Sequence, residues 1–381
     1  MYENPETRRG RGAQSNVSGR YEPLQRVDFD DGWSRACESD LNSRTCWRDD
    51  TARSIITRNQ SPDIPFDRSI NPYRGCEHGC VYCYARPSHT WLGHSAGLDF
   101  ERLLYVKRDA AGLLKNELAR PGYQVAPVAV GVNTDAWQPL ERKLGITRQI
   151  LEVLLEARHP LYLITKSSLI ERDMDLLHQF ADQNLLSVCL TITTLDNELS
   201  SKLEPRATAP HRRLRTLRTL ADAGIPVRVS VSPVIPALNE HELEDIVTAA
   251  ADAGATAAHA LLLRLPHELA QLFPEWLEAH YPLRRSRVLK AIRSMRNDKL
   301  NNSEYGDRFR GNGPRADFIH QRFEAACRRH KLDYGRENFS SLDCSAFVVP
   351  TGWPNQVADS RYKQQHEGGK CEDLPLQREL F

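Results

Sequence analysis

An α/β fold with a parallel sheet is predicted for this chain of 381 residues by three observations. From about residue 67, short apolar runs of strand length alternate with amphipathic stretches of helical length. Six strand segments and the five helical segments between them follow one another in this way. Two of the helical stretches end on a glycine directly ahead of the next apolar run, as helix stops do. Strands that each feed a helix build parallel sheets with right-handed crossovers, and a partial (β/α)6 TIM-type barrel fits six of them.

Residues 1–65 are rich in Arg, Asp, Ser, Asn and Gly with little periodicity, so a largely irregular extension, disordered or draped over the rest, is expected. The barrel is expected over 66–265, with strands at 69–73, 125–132, 161–165, 187–193, 227–233 and 257–264. Its helices are expected at 110–118, 146–157, 168–183, 211–223 and 240–253. Gly224 and Gly254 supply the two stops. On the helix over 211–223, Leu214, Leu217, Leu220 and Ala221 form the buried stripe, which turns Arg212, Arg215 and Arg218 outward. Arg206 and Arg213 are then better placed to face a site, where a guanidinium would pair with a carboxylate.

Past Pro266 the β-α rhythm stops. A helical C-terminal extension over 266–355 has helices at 267–297 and 314–331, and 356–381 reads as a flexible polar tail. Residues 284–336 carry 15 lysines and arginines against 6 acids, which is either a solvated helical face or a surface for nucleic acid or phosphate.

Composition bounds the function. Hydrophobic content of 40% and charged content of 27% are ordinary for a globular chain, and a net charge of +1 gives no global electrostatic case for nucleic acid. No apolar run of signal-peptide or membrane-spanning length occurs, so a cytoplasmic protein with no membrane partner is expected. Nine cysteines without an export signal argue for reduced thiols and a metal site over disulfides.

Three of those cysteines, Cys76, Cys80 and Cys83, fall at C-x3-C-x2-C between Gly75 and Tyr84. Thiolates are soft ligands that suit zinc, copper(I) and iron–sulfur clusters. Structural zinc sites usually draw their ligands as two separated pairs, and no second C-x2-C pair occurs here. A cubane cluster on three thiolates would leave one iron open, which is a catalytic arrangement. Gly75 and Gly79 allow the backbone to turn tightly around such a group. The loop follows the first predicted strand, at the end of a β/α barrel where chemistry sits. Cys37 and Cys46 read as free thiols, and Cys327, Cys344 and Cys371 are too scattered to define an auxiliary cluster.

With Tyr82 directly before the last cysteine, the trio resembles the signature of the radical S-adenosylmethionine superfamily. The pattern C-x-Y-C-Y, which adds Tyr84, is similar to the spore photoproduct lyase-like branch. The resemblance implies a partial barrel and an enzyme. It implies a [4Fe-4S] cluster on Cys76, Cys80 and Cys83, with S-adenosyl-L-methionine chelating the open iron through its amino and carboxylate groups. Reductive cleavage of the sulfonium then yields a 5'-deoxyadenosyl radical that abstracts hydrogen, with a flavodoxin- or ferredoxin-type electron donor as partner.

Residue by residue, the resemblance implies the following roles. Tyr82 approaches the adenine, and Tyr82 and Tyr84 relay hydrogen or line the substrate site. Thr134 and Asp135 contact the amino group of the cofactor, and Lys166 its carboxylate. Apart from the resemblance, alternation along the fourth strand puts Cys189, Thr191 and Thr193 on one face, which makes Thr191 and Thr193 candidates for ribose contacts and Cys189 a hydrogen donor or a packed thiol. Arg206 belongs to a Glu-Pro-Arg segment similar to that branch, and Ser232 and Val234 pack the adenine. The branch has a hydrogen-donating cysteine where this chain has Asn133, so the resemblance carries the cofactor further than it carries thymine-dimer chemistry.

The last five residues, Gln377, Arg378, Glu379, Leu380 and Phe381, resemble a bacterial sliding-clamp-binding pentapeptide. A radical S-adenosylmethionine enzyme acting on damaged or modified nucleic acid is therefore the first expectation. Radical modification of tRNA or protein is the second, and a non-catalytic metal-binding module docking on a DNA-maintenance complex the third.

Overall fold

The computed structural model describes residues 10–22, 44–334 and 342–354. The clamp-like pentapeptide, Cys37 and Cys371 lie outside the described residues. Among the described residues ten strands occur in chain order: β1 (Cys46–Asp49), β2 (Ile56–Arg58), β3 (Arg68–Ile70), β4 (Tyr73–Arg74), β5 (Leu103–Val106), β6 (Val128–Val130), β7 (Leu161–Thr165), β8 (Leu186–Thr191), β9 (Val227–Val234) and β10 (Ala257–Leu262). The longer helices are α1 (Ala110–Leu118), α2 (Ile146–Glu156), α3 (Met174–Asp182), α4 (Asn197–Leu203), α5 (Pro210–Asp222), α6 (Leu243–Asp252), α7 (Leu269–His280), α8 (Pro282–Ser294) and α9 (Pro314–Arg329).

Seven strands form one sheet in the order β10-β9-β8-β7-β6-β3-β2. From β3 to β10 every pair is parallel, and only β2 runs antiparallel, against β3. The six parallel strands thus lie side by side in chain order, as successive right-handed β-α units require. Alternation along them sorts the two faces. Leu161, Leu163, Val188, Leu190, Val227 and Val229 join the main core with Ile150 and Leu154 of α2, Leu177 of α3, Leu217 and Leu220 of α5 and Ile246 of α6. The alternate residues Tyr162, Cys189, Arg228 and Ser230 take the other face, where Tyr162 packs with Ala129 and Leu342.

A second, three-stranded sheet, β1-β5-β4, arises because the first predicted strand divides. Pro72 cannot donate to a ladder, and its carbonyl instead accepts from Lys107 N at 3.0 Å while Lys107 Nζ donates to Asn71 O at 2.8 Å. The chain leaves the large sheet after Ile70 and re-enters pairing at Tyr73, opposite Val106. Pro127 has no N–H to offer a ladder, and the strand expected over 125–132 is only Val128–Val130. The helix expected over 267–297 breaks at Tyr281, and Pro282 takes the first position of the next helix, where its missing N–H has no intrahelical partner to lose. The helices expected at 168–183 and 240–253 each open with a 3-10 turn.

In the region expected to be irregular, β1 and β2 are four and three residues long, too short to leave a periodic signal. Residues 10–22 are draped over the body, with Ala13 and Val17 buried against Ala96, Leu98 and Leu272. Within the basic segment, Arg308 pairs with Asp63, Arg315 with Glu240 and Arg322 with Glu244, so three of its fifteen cations are met by acids outside the segment. Among the described residues no helix is long and apolar enough to cross a membrane.

Candidate active site at the cysteine loop

The cysteine loop leaves β4 and is built on two left-handed glycines, Gly75 at φ +78° and Gly79 at φ +69°. A Cβ on Gly75 would lie 2.9 Å from the Phe100 carbonyl oxygen, and one on Gly79 2.8 Å from Glu101 Oε2. Both positions therefore exclude a side chain. Successive backbone bonds then fold the chain on itself: Cys76 N to Phe100 O at 2.9 Å, Cys83 N to Cys80 O at 3.2 Å, and Arg86 N to Cys83 O at 3.2 Å.

Arg86 fastens this loop from beneath. Fully buried, it donates to the carbonyls of Cys80 at 2.8 Å, Gly79 at 3.0 Å, Gly97 at 2.9 Å and Ala96 at 3.1 Å, and it meets Glu101 at 2.5 Å. The Glu101 carboxylate also accepts Gly12 N at 3.0 Å and Ala13 N at 2.8 Å. Gln138 closes the other flank, accepting Glu77 N at 2.8 Å and donating to Gly75 O at 3.3 Å.

Contacts from the strand ends place the loop over the C-terminal edge of the parallel sheet. Past β6, the Asp135 carboxylate accepts Thr165 Oγ1 at 2.8 Å, Lys166 N at 2.8 Å and Trp137 N at 2.9 Å, and it sits 3.4 Å from His78 Nδ1. Thr134 is buried and donates its hydroxyl to Tyr73 O at 2.8 Å, while Asn71 Oδ1 accepts Asn133 N at 2.8 Å. Past β7, the Lys166 ammonium lies 6.0 Å from the Tyr82 ring centroid. Burial works against that ammonium, but Cys80 and Glu204 carry its pKa above the ordinary lysine value. The Tyr84 hydroxyl donates to Val132 O.

The Glu-Pro-Arg segment after α4 is stitched to the loop. Val81 N donates to Leu203 O at 3.1 Å and Arg206 N to His78 O at 3.2 Å. Arg206 pairs with Glu77 at 3.1 Å and reaches Thr45 Oγ1 at 3.1 Å, which occupies its guanidinium within the fold. Glu204, buried, accepts from the Tyr82 hydroxyl, from Thr193 Oγ1 at 2.7 Å and from Arg213. Burial opposes its ionisation, yet Arg213 and Lys166 outweigh burial and hold the carboxyl well below the usual range.

Cys189 and Thr191 share the inner face of β8, and burial pushes the Cys189 thiol up to about 12. Thr193, past the strand end, also donates to Ser232 O at 3.2 Å. The Ser232 hydroxyl itself is buried with no hydrogen-bond partner among the described residues, and Val234 is buried in the main core.

The donor set fits a cluster. Cys76 and Cys80 are nearly buried, Cys83 is half-buried, and none is in a disulfide. Burial raises the Cys76 pKa, with further contributions from Asp135 and from Cys80 and Cys83, so the thiols lie within each other's field. Burial also pushes Cys80 up to about 12. A cationic metal group reverses that balance and holds thiolates. Among the described residues no three His, Cys, Asp or Glu side chains converge on a single metal ion. A cubane spreads its thiolates over separate irons, so that spacing disfavours zinc and not a cluster. The orphaned Ser232 hydroxyl is a polar atom still lacking a partner.

The sequence reading passed over Arg86, Glu101, Gln138 and Glu204 as site-building residues. Glu204 and Arg86 lie in segments already singled out. Gln138 follows the end of the second predicted strand, and Glu101 acts from a position with no local pattern.

Comparison with known proteins agrees with this arrangement. Residues 70–250 match the model of the Radical SAM superfamily. An uncharacterized protein of Mycobacterium tuberculosis is 34% identical over 221 residues, 58% of this chain and 65% of that protein. One from Methanocaldococcus jannaschii is 33% identical over 173 residues, 45% of this chain and 62% of its own length. The matches thus span a little under two thirds of these relatives. Among solved structures, a single-residue mutant of spore photoproduct lyase superposes with a TM-score of 0.57 at 14% identity, covering 78% of this chain and 83% of that one. A doubly substituted form with bound AdoMet and dinucleoside spore photoproduct gives a TM-score of 0.56 at 15% identity, over 77% and 82%. Residues 70–250, which carry the cysteine loop and the strand ends it covers, match the Radical SAM superfamily model, and the fold is like that of spore photoproduct lyase.

Proposed function

We propose that the chain is a radical S-adenosylmethionine enzyme whose parallel sheet serves as a partial (β/α)6 barrel, with its chemistry at the cysteine loop. The observation that carries this reading is the seating of a three-cysteine loop over the ends of β6, β7 and β8 in a segment that matches the superfamily model. Cys76, Cys80 and Cys83 would hold a [4Fe-4S] cluster. When bound and reduced by a flavodoxin- or ferredoxin-type donor, that cluster supplies an electron to the sulfonium of S-adenosylmethionine and so gives a 5'-deoxyadenosyl radical.

The chain's own residues orient and insulate this group. Arg86 and Gln138 fix the loop backbone, and Glu204 fixes the Tyr82 ring through its hydroxyl. Lys166 presents a cation beside the loop that suits the cofactor carboxylate. Ser232 has a hydroxyl to offer the adenine, and Thr191, opposite Ser230, and Thr193 would face the ribose. Asp135 already carries three hydrogen bonds, so its part is to position Lys166 and His78. Tyr84 and Cys189 line the approach of substrate, and the high pKa of the Cys189 thiol keeps its S–H intact for hydrogen transfer.

Damaged or modified nucleic acid is the substrate class to test first. The fold's likeness to a lyase seen with a dinucleoside photoproduct supports it. Anaerobic reconstitution followed by dithionite reduction should give 5'-deoxyadenosine from S-adenosylmethionine, and Cys80→Ala should abolish it. A Cys80→Ala protein that still forms 5'-deoxyadenosine would refute the assignment.

A further inference from the structure

One feature at the mouth of the sheet takes no part in building the loop. Arg264, just past the end of β10, lies with its guanidinium carbon 5.8 Å from the centroid of the Tyr84 ring and 5.3 Å from that of Phe309. Arg308 stands 4.6 Å from the same Phe309 ring and 5.0 Å from the ring of Tyr305. Tyr84, Arg264, Phe309, Arg308 and Tyr305 therefore form a ladder of alternating rings and guanidiniums. It starts on the cysteine loop, and its last ring, Tyr305, is 62% exposed.

Two observations show that the ladder is built. Arg296, wholly buried, donates to the carbonyls of Leu262 and Leu263 at 2.8 Å each and of Arg308 at 3.1 Å, which binds the loop after α8 to the end of β10. Arg308 is fixed in addition by buried Asp63, at 2.7 Å from its Nε. Arg264, by contrast, has no acid within ion-pair distance among the described residues, and Arg308 is its like-charged neighbour. Its charge is left for a ligand.

Alternating aromatic faces and guanidiniums suit a ligand that is planar and anionic in alternation. Bases stack on rings while a guanidinium without an acid, here Arg264, meets a phosphate, without regard to sequence. A paired duplex hides its base faces and cannot use the rings. We infer that the ladder is a stacking platform for single-stranded or unpaired nucleic acid and leads one nucleotide to the cysteine loop. This rests on the proposed substrate class and deepens it. Binding is read without reductant or S-adenosylmethionine, so either reading can fail alone.

The experiment is fluorescence anisotropy with the full chain and three labelled probes: a 12-nucleotide oligo-dT, the same length of abasic strand, and a duplex. Oligo-dT should bind tightest. Tyr305→Ala, at an exposed position that leaves the fold intact, should weaken it about tenfold, since a base–ring stack is worth roughly 1–3 kcal/mol. Arg264→Gln should weaken oligo-dT and flatten the slope of log affinity against log salt by about 0.7. Equal binding of the abasic strand, tighter binding of the duplex, unchanged affinity in both variants, or displacement of the strand by polyglutamate as readily as by unlabelled oligo-dT would each overturn the platform.

Discussion

The Tyr82 hydroxyl donates to the carboxylate of Glu204, linking the aromatic residue beside the last loop cysteine to a buried ion pair with Arg213. Glu204→Ala would leave Arg213 buried without its partner. Breaking such a pair costs about 3–5 kcal/mol. Tyr82→Phe removes one hydrogen bond to a charged group, about 1.5–3 kcal/mol. Chemical denaturation should show the larger loss for Glu204→Ala, and iron bound per chain should fall in the same order if this network orients the loop.

The N-terminal segment is part of the same loop's support. Glu101 receives Arg86 from one side and Gly12 N and Ala13 N from the other. Removing residues 1–22 would strip two N–H donors from that buried carboxylate and uncover Ala96, Leu98 and Leu272. A truncated chain should unfold at lower denaturant and exchange the amide hydrogens of residues 76–86 faster, while amides of β7 and β8 keep their protection.

Acid should act through His159. Its imidazole contacts the Tyr123 hydroxyl and the Pro160 carbonyl, each at 2.9 Å, and burial pushes its pKa down to about 4 from an ordinary 6.5. Between these values the unfolded chain takes up a proton that the folded chain refuses. Stability is therefore whole above pH 6.5 and falls as pH drops toward 4, by about 1.4 kcal/mol per pH unit for each such proton. The melting temperature should fall across this window, and His159→Gln should fall less steeply than the unsubstituted chain.

How much of this could be read from the sequence depended on the length scale of each signal. The strand at 161–165 and the helix at 110–118 match their predicted bounds because a full period of apolar residues marks each. The pair β1 and β5 escaped because four residues of strand carry too little pattern, and the division of the first strand turned on one proline. In the site, Cys76, Cys80 and Cys83 announce themselves by spacing. Glu101 and Gln138 do not, since each is recruited by partners far away in sequence and an isolated Glu or Gln reads as surface. Arg206 bonds to the loop through its backbone, and its charge is met there by Glu77.

Arg296 offers the sharpest separation of support from function. Burial lowers its pKa to about 10, below the ordinary arginine value, and the nearest compensation is three carbonyls and the field of Asp307. Arg296→Met fills similar volume but leaves those carbonyls unmatched, at about 1–3 kcal/mol for each that stays buried. The loss should be local. Hydrogen exchange should speed up over 299–311, where this side chain helps bind the loop to β10, and protection in α2 and β7 should be unchanged. If the loop presents the ladder as inferred, oligo-dT affinity should drop in Arg296→Met while iron content does not. Equal exchange over 299–311 in the two proteins would show that the loop is held by other means.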